Sequence, residues 1–134
     1  MSEGVSHAYV WVEDHDRAIS FYTEKLGFEL CEDVRMGDRR WVTVRHPLRP
    51  DLKLALSEIS SLDTQSVESI RQLQEKGLLN AGGLATRDCR GEYLELAGRG
   101  VSFVLEPTAR PFGIEAVLRD DSGNLWGLVQ PAGQ

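Results

Sequence analysis

Three side chains able to bind or to transfer a proton alternate along one short stretch. If residues 5–13 are extended, His7, Tyr9 and Trp11 point one way while Ala8, Val10 and Val12 point the other. A histidine at the start of a strand can be read in two ways. It is a hydrogen-bonded structural residue, or it is a polar anchor and proton acceptor among aromatic neighbours. The same parity rule groups Trp41 with Thr43, if Val42 and Val44 face a helix, and Glu115 with Arg119 further on. Flat or apolar ligands suit aromatic walls furnished with a few polar groups of this kind. The tryptophans can equally fill a core or a dimer seam, and Trp126, sharing a face with Leu128, reads as core. Arg39 and Arg40 could recognise an anion, but beside Gly37-Asp38 they read as a solvated hairpin tip. Asp120 and Asp121 read as turn formers.

Other chemistries lack their residues. No G-x-S-x-G surrounds a serine, no GK[ST] follows a glycine-rich run, and Gly82-Gly83 has none of the spacing of a dinucleotide loop. Cys31 and Cys89 are far apart and outside any CxxC, which excludes a cysteine-rich zinc module and suggests reduced thiols. The formal charge is −6, with acidic and basic residues interspersed, so a surface that tracks phosphates is not expected. An acidic chain would instead suit a cationic ligand. No stretch approaches the roughly 20 apolar residues of a membrane helix, and a cytoplasmic location is the default expectation.

The elements that must position these residues repeat. Asp14 sits as an N-cap before Ala18, Ile19, Tyr22 and Leu26 at helical spacing, and Gly27 ends the run. Strands are predicted over 28–34, over 41–45 and around Leu52, Leu54 and Leu56. An amphipathic connector over 66–76 closes at Gly77, and a short strand follows over 82–86. Asp88 then caps a second helix carrying Tyr93, Leu94 and Leu96, which stops at Gly98 to Gly100. Strands over 101–105, 114–119 and 125–130 complete the chain. The order is β-α-β-β-β twice, and the spans Asp14 to Gly27 and Asp88 to Gly100 differ by one residue, so internal duplication is the simplest reading. With 134 residues, 41% hydrophobic, one domain is expected: a first module over about 5–60, a connector over about 61–80 and a second module over about 81–131.

The strings Val10-Trp-Val-Glu-Asp14, Phe21-Tyr22 and Leu26-Gly-Phe28 in the first half, with Gly100-Val-Ser-Phe103, Glu106-Pro107 and Asp120-Asp-Ser-Gly-Asn124 in the second, resemble the vicinal oxygen chelate superfamily. That superfamily includes glyoxalase I, extradiol dioxygenases and bleomycin-resistance proteins. The resemblance implies an α+β fold in which two tandem βαβββ modules form a concave, half-open barrel of mixed sheets with helices outside, and a cavity that takes the ligand. Glu106-Pro107 would then lie in a loop after a short strand. Asp88-Cys89 and the stretch over 111–116 look closest to bacterial glyoxalase/bleomycin-resistance-like proteins.

The superfamily's divalent metal is held by residues on the first and last strand of each module. His7, fourteen residues before Phe21, matches the first ligand position. The second falls near Ala55, with Glu58 pointing to the other face. Residues 77–87 contain no His, Asp or Glu for the third, and Gly127 stands where metal-binding members carry Glu. One histidine cannot hold a site that normally takes about three protein ligands, so no divalent metal and no other cofactor is expected. The resemblance then implies a metal-independent binder that sequesters an aromatic or apolar ligand, lined by His7, Tyr9, Trp11, Trp41, Thr43, Glu115 and Arg119. The alternative is a glyoxalase-type lyase, isomerase or dioxygenase with an atypical metal site around His7, or acid–base catalysis by His7 with Glu115. An accessory module whose surface binds a protein is a third class. Relatives commonly dimerise, so a homodimer is expected, with no nucleic-acid or membrane partner.

Overall fold

The computed structural model describes residues 1–133. Its chain divides into two compact units, Met1–Glu68 and Ser69–Gln134. The first holds β1 (His7–Val12), α1 (His15–Ser20), β2 (Glu29–Met36), β3 (Arg39–His46) and β4 (Arg49–Glu58), and α2 (Thr64–Glu75) crosses the division. The second holds β5 (Asn80–Ala85), α3 (Cys89–Gly98), β6 (Ser102–Arg110), β7 (Gly113–Arg119) and β8 (Leu125–Pro131). Each unit is built on an open four-stranded mixed sheet. The strand orders are β1-β4-β3-β2 and β5-β8-β7-β6. In each, the first strand runs parallel to the last and the other pairs are antiparallel. The α+β fold of two tandem βαβββ modules is thus present, in the same topological order twice.

The first sheet segregates its faces by strand parity. Val10, Val12, Val42, Val44, Leu54 and Leu56 are all buried, together with Ala18 and Tyr22 from the helical segment. Each such side chain contributes about 1.5–3 kcal/mol by leaving water. Asp14 caps α1 by accepting from the Arg17 N–H. The helix then widens into a π-helical turn over Phe21–Lys25, where the Leu26 N–H reaches back five residues to the Phe21 carbonyl. Gly27, at φ 78°, makes the left-handed exit that a side chain would oppose. In the second unit Asp88 caps α3 through the Gly91 N–H, and Ala116, Leu118, Trp126 and Leu128 are the buried face of the sheet. Trp126 lies over Gly82, where a Cβ would stand 3.0 Å from the indole.

Two expectations are corrected. β6 does not stop before Glu106-Pro107 but continues to Arg110, its pairing with β7 slipping between Phe103 and Leu105 and again between Leu105 and Thr108. β6 is an edge strand, and a bulged edge tolerates a proline that has no N–H to give. Arg40 is not a solvated hairpin residue. Its guanidinium grips Asp33 through two bonds of 2.9 and 2.8 Å and reaches Asp16 at 3.0 Å, tying the β2–β3 hairpin to α1. The Arg40 bond holds the Asp33 carboxyl below the usual carboxylate range. Asp120 does shape the β7–β8 turn, accepting from the Ser122 and Asn124 N–H groups and from the Asn124 amide. Among the described residues, no helix is long and apolar enough to cross a membrane.

Candidate functional site: the open face of the first sheet

The helix-covered side of the first sheet takes its apolar residues, so the alternate residues stand on the other side. Register makes the grouping explicit. His7 lies beside Lys53 and Tyr9 beside Ala55 in the parallel β1–β4 pair, and Ala55 in turn opposes Thr43 on β3. On this face His7, Tyr9 and Trp41 form one aromatic cluster. Ring centroids are 5.2 Å apart for His7–Tyr9, 5.9 Å for His7–Trp41 and 6.4 Å for Tyr9–Trp41, all edge to face. Ala55 is buried, and its small side chain lets the rings of the flanking strands meet. Tyr9 is 65% exposed, a large share for an aromatic held in a strand.

A polar network fixes the cluster. The His7 ring is bonded at both nitrogens, Nδ1 to the Ser6 hydroxyl at 2.8 Å and Nε2 to the Tyr9 hydroxyl at 3.0 Å. Glu32 on β2 accepts from the Thr43 hydroxyl at 2.9 Å and from the Lys53 ammonium at 3.2 Å. It also accepts from the side chain of Trp41. The Thr43 bond first, then that of Lys53, draws the Glu32 carboxyl below its ordinary value. The indole of Trp41 is therefore held by a carboxylate as well as by packing. Thr43 is fully buried, and its hydroxyl serves Glu32. Trp11 is half-buried on the same strand as His7 and Tyr9.

Glu115 and Arg119 belong to the second unit. They share the open face of β7 but stand four residues apart, about 13 Å at strand rise. Glu115 is paired with Arg110 at 3.4 Å. The Arg119 guanidinium lies beside Gly77, 3.5 Å from where a Cβ would stand, at the end of α2. Around them the open face of the second sheet is lined by Gly83 beside Gly127, Ala85 beside Val129, and Val117. Cys89 is buried at the start of α3, its thiol directed to the Leu128 carbonyl at 3.4 Å. Burial pushes that thiol up, away from the thiolate that reactivity requires.

Glu32 and Lys53 are the participants that reading the sequence missed. Lys53 was accessible by parity, two residues before Ala55. Glu32 was not, because the register of β2 shifts at Cys31 and moves Glu32 off the side taken by Leu30, whose partner Val44 faces the helix. A second missed pair sits at the head of α1. The buried His15 places Nδ1 2.7 Å from Glu58 and Nε2 2.9 Å from the Leu56 carbonyl, while its backbone N–H also donates to Glu58. Glu58 is thereby engaged on the helix side of the sheet.

The residues do not fit the superfamily's metal. Ala55 and Gly127 offer no donor atom, and both nitrogens of His7 already have partners. Among the described residues no three His, Cys, Asp or Glu side chains converge as an ion would require. Space is not the reason at Gly127, where a Cβ would meet only Val129 at 3.8 Å and the Gly82 carbonyl at 4.0 Å.

Comparison with known proteins agrees with the fold. A model of the glyoxalase/bleomycin resistance protein/dioxygenase superfamily matches residues 4–128. The chain is 38% identical over 121 residues to YurT of Bacillus subtilis (strain 168), an alignment covering 90% of this chain and 94% of YurT. Its structure is similar to the crystal structure of UcmS2, with a TM-score of 0.91 at 41% identity over 97% of this chain and 99% of that one. It is also similar to TnmS3, an antibiotic binding protein from Streptomyces sp. CB03234, with a TM-score of 0.78 at 29% identity over 98% of both chains. A duplicated βαβββ topology and a family match spanning nearly the whole chain place this protein in the glyoxalase/bleomycin resistance protein/dioxygenase superfamily.

Proposed function

We propose that this protein binds and sequesters a flat, aromatic small molecule on the open face of its first sheet, without a metal ion. The His7–Tyr9–Trp41 cluster, with Tyr9 exposed and His7 and Trp41 half-buried, carries the proposal. Exposing aromatic surface in a strand forgoes burial energy, and three rings set edge to face and locked by Glu32, Ser6 and one another form a pre-ordered aromatic patch, against which a flat ligand can stack on one ring and meet the edges of the others. The similarity to an antibiotic binding protein supports a ligand of drug size. The absence of donor atoms at Ala55 and Gly127 supports metal independence. A binder of this kind needs no reacting group, and His7 serves as an anchor whose ring is turned by Ser6 and Tyr9.

The test is titration with neutral polycyclic aromatics, followed by tryptophan fluorescence and calorimetry, for the wild type and Trp41→Leu. Micromolar binding that survives chelator and weakens at least about tenfold in Trp41→Leu is expected, a change of about 1.4 kcal/mol. Binding unaffected by that substitution, or no binding at all, would reject the site. Stoichiometric metal in protein purified without a tag, with a melting temperature that falls in chelator, would reject metal independence. A homodimer, which the family resemblance implies, is checked by sedimentation in the same buffer.

A further inference from the structure

Resting on the ligand-binding reading above, we propose that the ligand carries a negatively charged oxygen at the rim of its aromatic system, and that Lys53 with Arg45 recognises it. These two residues are direct partners in the β3–β4 register, and Lys53 is also the direct partner of His7 on β1. Arg45, Thr43 and Trp41 alternate onto the same open face, because Val42 and Val44 between them are buried on the other. Two cations therefore stand side by side next to the aromatic cluster. Like charges directly opposite in a sheet destabilise it, so the pairing weighs against the fold unless an anion offsets it.

Glu32 offsets it only in part. Its carboxylate is shared among Thr43, Trp41 and Lys53, and it takes one of the three ammonium donors of Lys53. The Lys53 side chain remains 38% exposed, with donors left over on the open face. Glu29 opposes Arg45 from the edge strand, but it is solvent-exposed and its charge is screened. A planar ligand packed against the His7, Tyr9 and Trp41 cluster would bring its rim to Lys53 and Arg45, because Lys53 is the direct register partner of His7. A carboxylate, phenolate or sulfonate there would complete the charge set by charge-assisted bonds. The net charge of −6 argues for a cation. That field decays within a Debye length of about 8 Å, whereas contact charges act at bonding distance.

Three probes built on one ring system decide the matter: anthracene carboxylate, anthracene methanol and aminomethylanthracene, titrated at fixed ionic strength. The carboxylate should bind about tenfold tighter than the alcohol, and the amine most weakly. Lys53→Met combined with Arg45→Met should bring the carboxylate to the level of the alcohol measured in that same variant, and a carboxylate preference that persists there would overturn the charge proposal. Equal wild-type affinities for the carboxylate and the alcohol, or a preference for the amine, would overturn the charge proposal while leaving the aromatic site standing. Failure of all three probes would overturn both. The wild-type ranking needs no variant to fold. If the double variant melts early, Lys53→Gln alone should still cut the carboxylate preference by more than half.

Discussion

The two modules of this protein are alike where they face their helices and unlike where they do not. At the head of each helix an aspartate caps, Asp14 in one and Asp88 in the other, and the next residue docks on the last strand of its own sheet. His15 gives its backbone N–H to the Glu58 side chain and its ring to the Leu56 carbonyl. Cys89 gives its backbone N–H to the Gln130 side chain and its thiol to the Leu128 carbonyl. The joint is the same with different chemistry, an imidazole and a carboxylate in place of a thiol and an amide. On the open faces even the residue classes part. The first sheet carries the rings of His7, Tyr9 and Trp41 beside Lys53 and Arg45, whereas the second carries Gly83, Gly127, Ala85 and Val117, with Glu115 and Arg119 two residues to either side of Val117. The helix-facing packing that stabilises each module is common to both, while the opposite faces differ in residue class.

Tryptophan substitution sharpens this contrast most. Trp126 is 4% exposed, so Trp126→Ala should cost about 3–5 kcal/mol of unfolding free energy by chemical denaturation. Trp41→Ala should cost less than half of that and lose ligand binding instead. Equal stability losses would mean that Trp41 is core and that the faces do not differ in role. Next in size is the joint. His15→Ala leaves Glu58 without its imidazole and the Leu56 carbonyl without a donor, at a cost of about 1–3 kcal/mol. Cys89→Ala, losing only a weak thiol bond in a site of similar burial, should cost about half as much in the same assay. A larger loss at Cys89 would break the proposed equivalence.

Smaller again is Arg40→Met, which removes the tie between the β2–β3 hairpin and α1. Arg40 is 15% exposed but its partners Asp33 and Asp16 are 32% and 79% exposed, so solvent screens the tie and a loss of about 1 kcal/mol is expected, shrinking in high salt. The smallest effect is acid sensitivity. Bonds from Thr43 and Lys53 lower the Glu32 carboxyl from its ordinary 4.5, so its stabilisation is complete above about that pH. It is lost as the pH falls through the lowered folded value. Melting curves of Glu32→Gln should therefore change less than wild type between pH 4.5 and more acidic solution. An identical acid slope in the two proteins would show that Glu32 does not hold the open face.

Much of the fold could be read from spacing. Aspartate before a helical run, glycine after it and alternating aliphatics in the strands were sufficient for both modules, because caps and periodicity are local consequences of backbone geometry. The grouping of Trp41 with Thr43 followed from the same parity. The reading of β6 failed at Pro107, and that of Arg40 failed because its partner Asp16 lies on another element. Glu32 was hidden by a single extra residue at Cys31, which inverts every later side chain of the strand. By itself, then, the sequence determined the two modules, their apolar helix-facing sides, and the lack of donor atoms at Ala55 and Gly127. Only the tertiary structure decided which polar residues meet: Glu32 with Thr43, Lys53 and Trp41, His15 with Glu58, and Arg45 beside Lys53. Such meetings depend on register between strands distant in the chain, and register is set when whole sheets pair and bury one face.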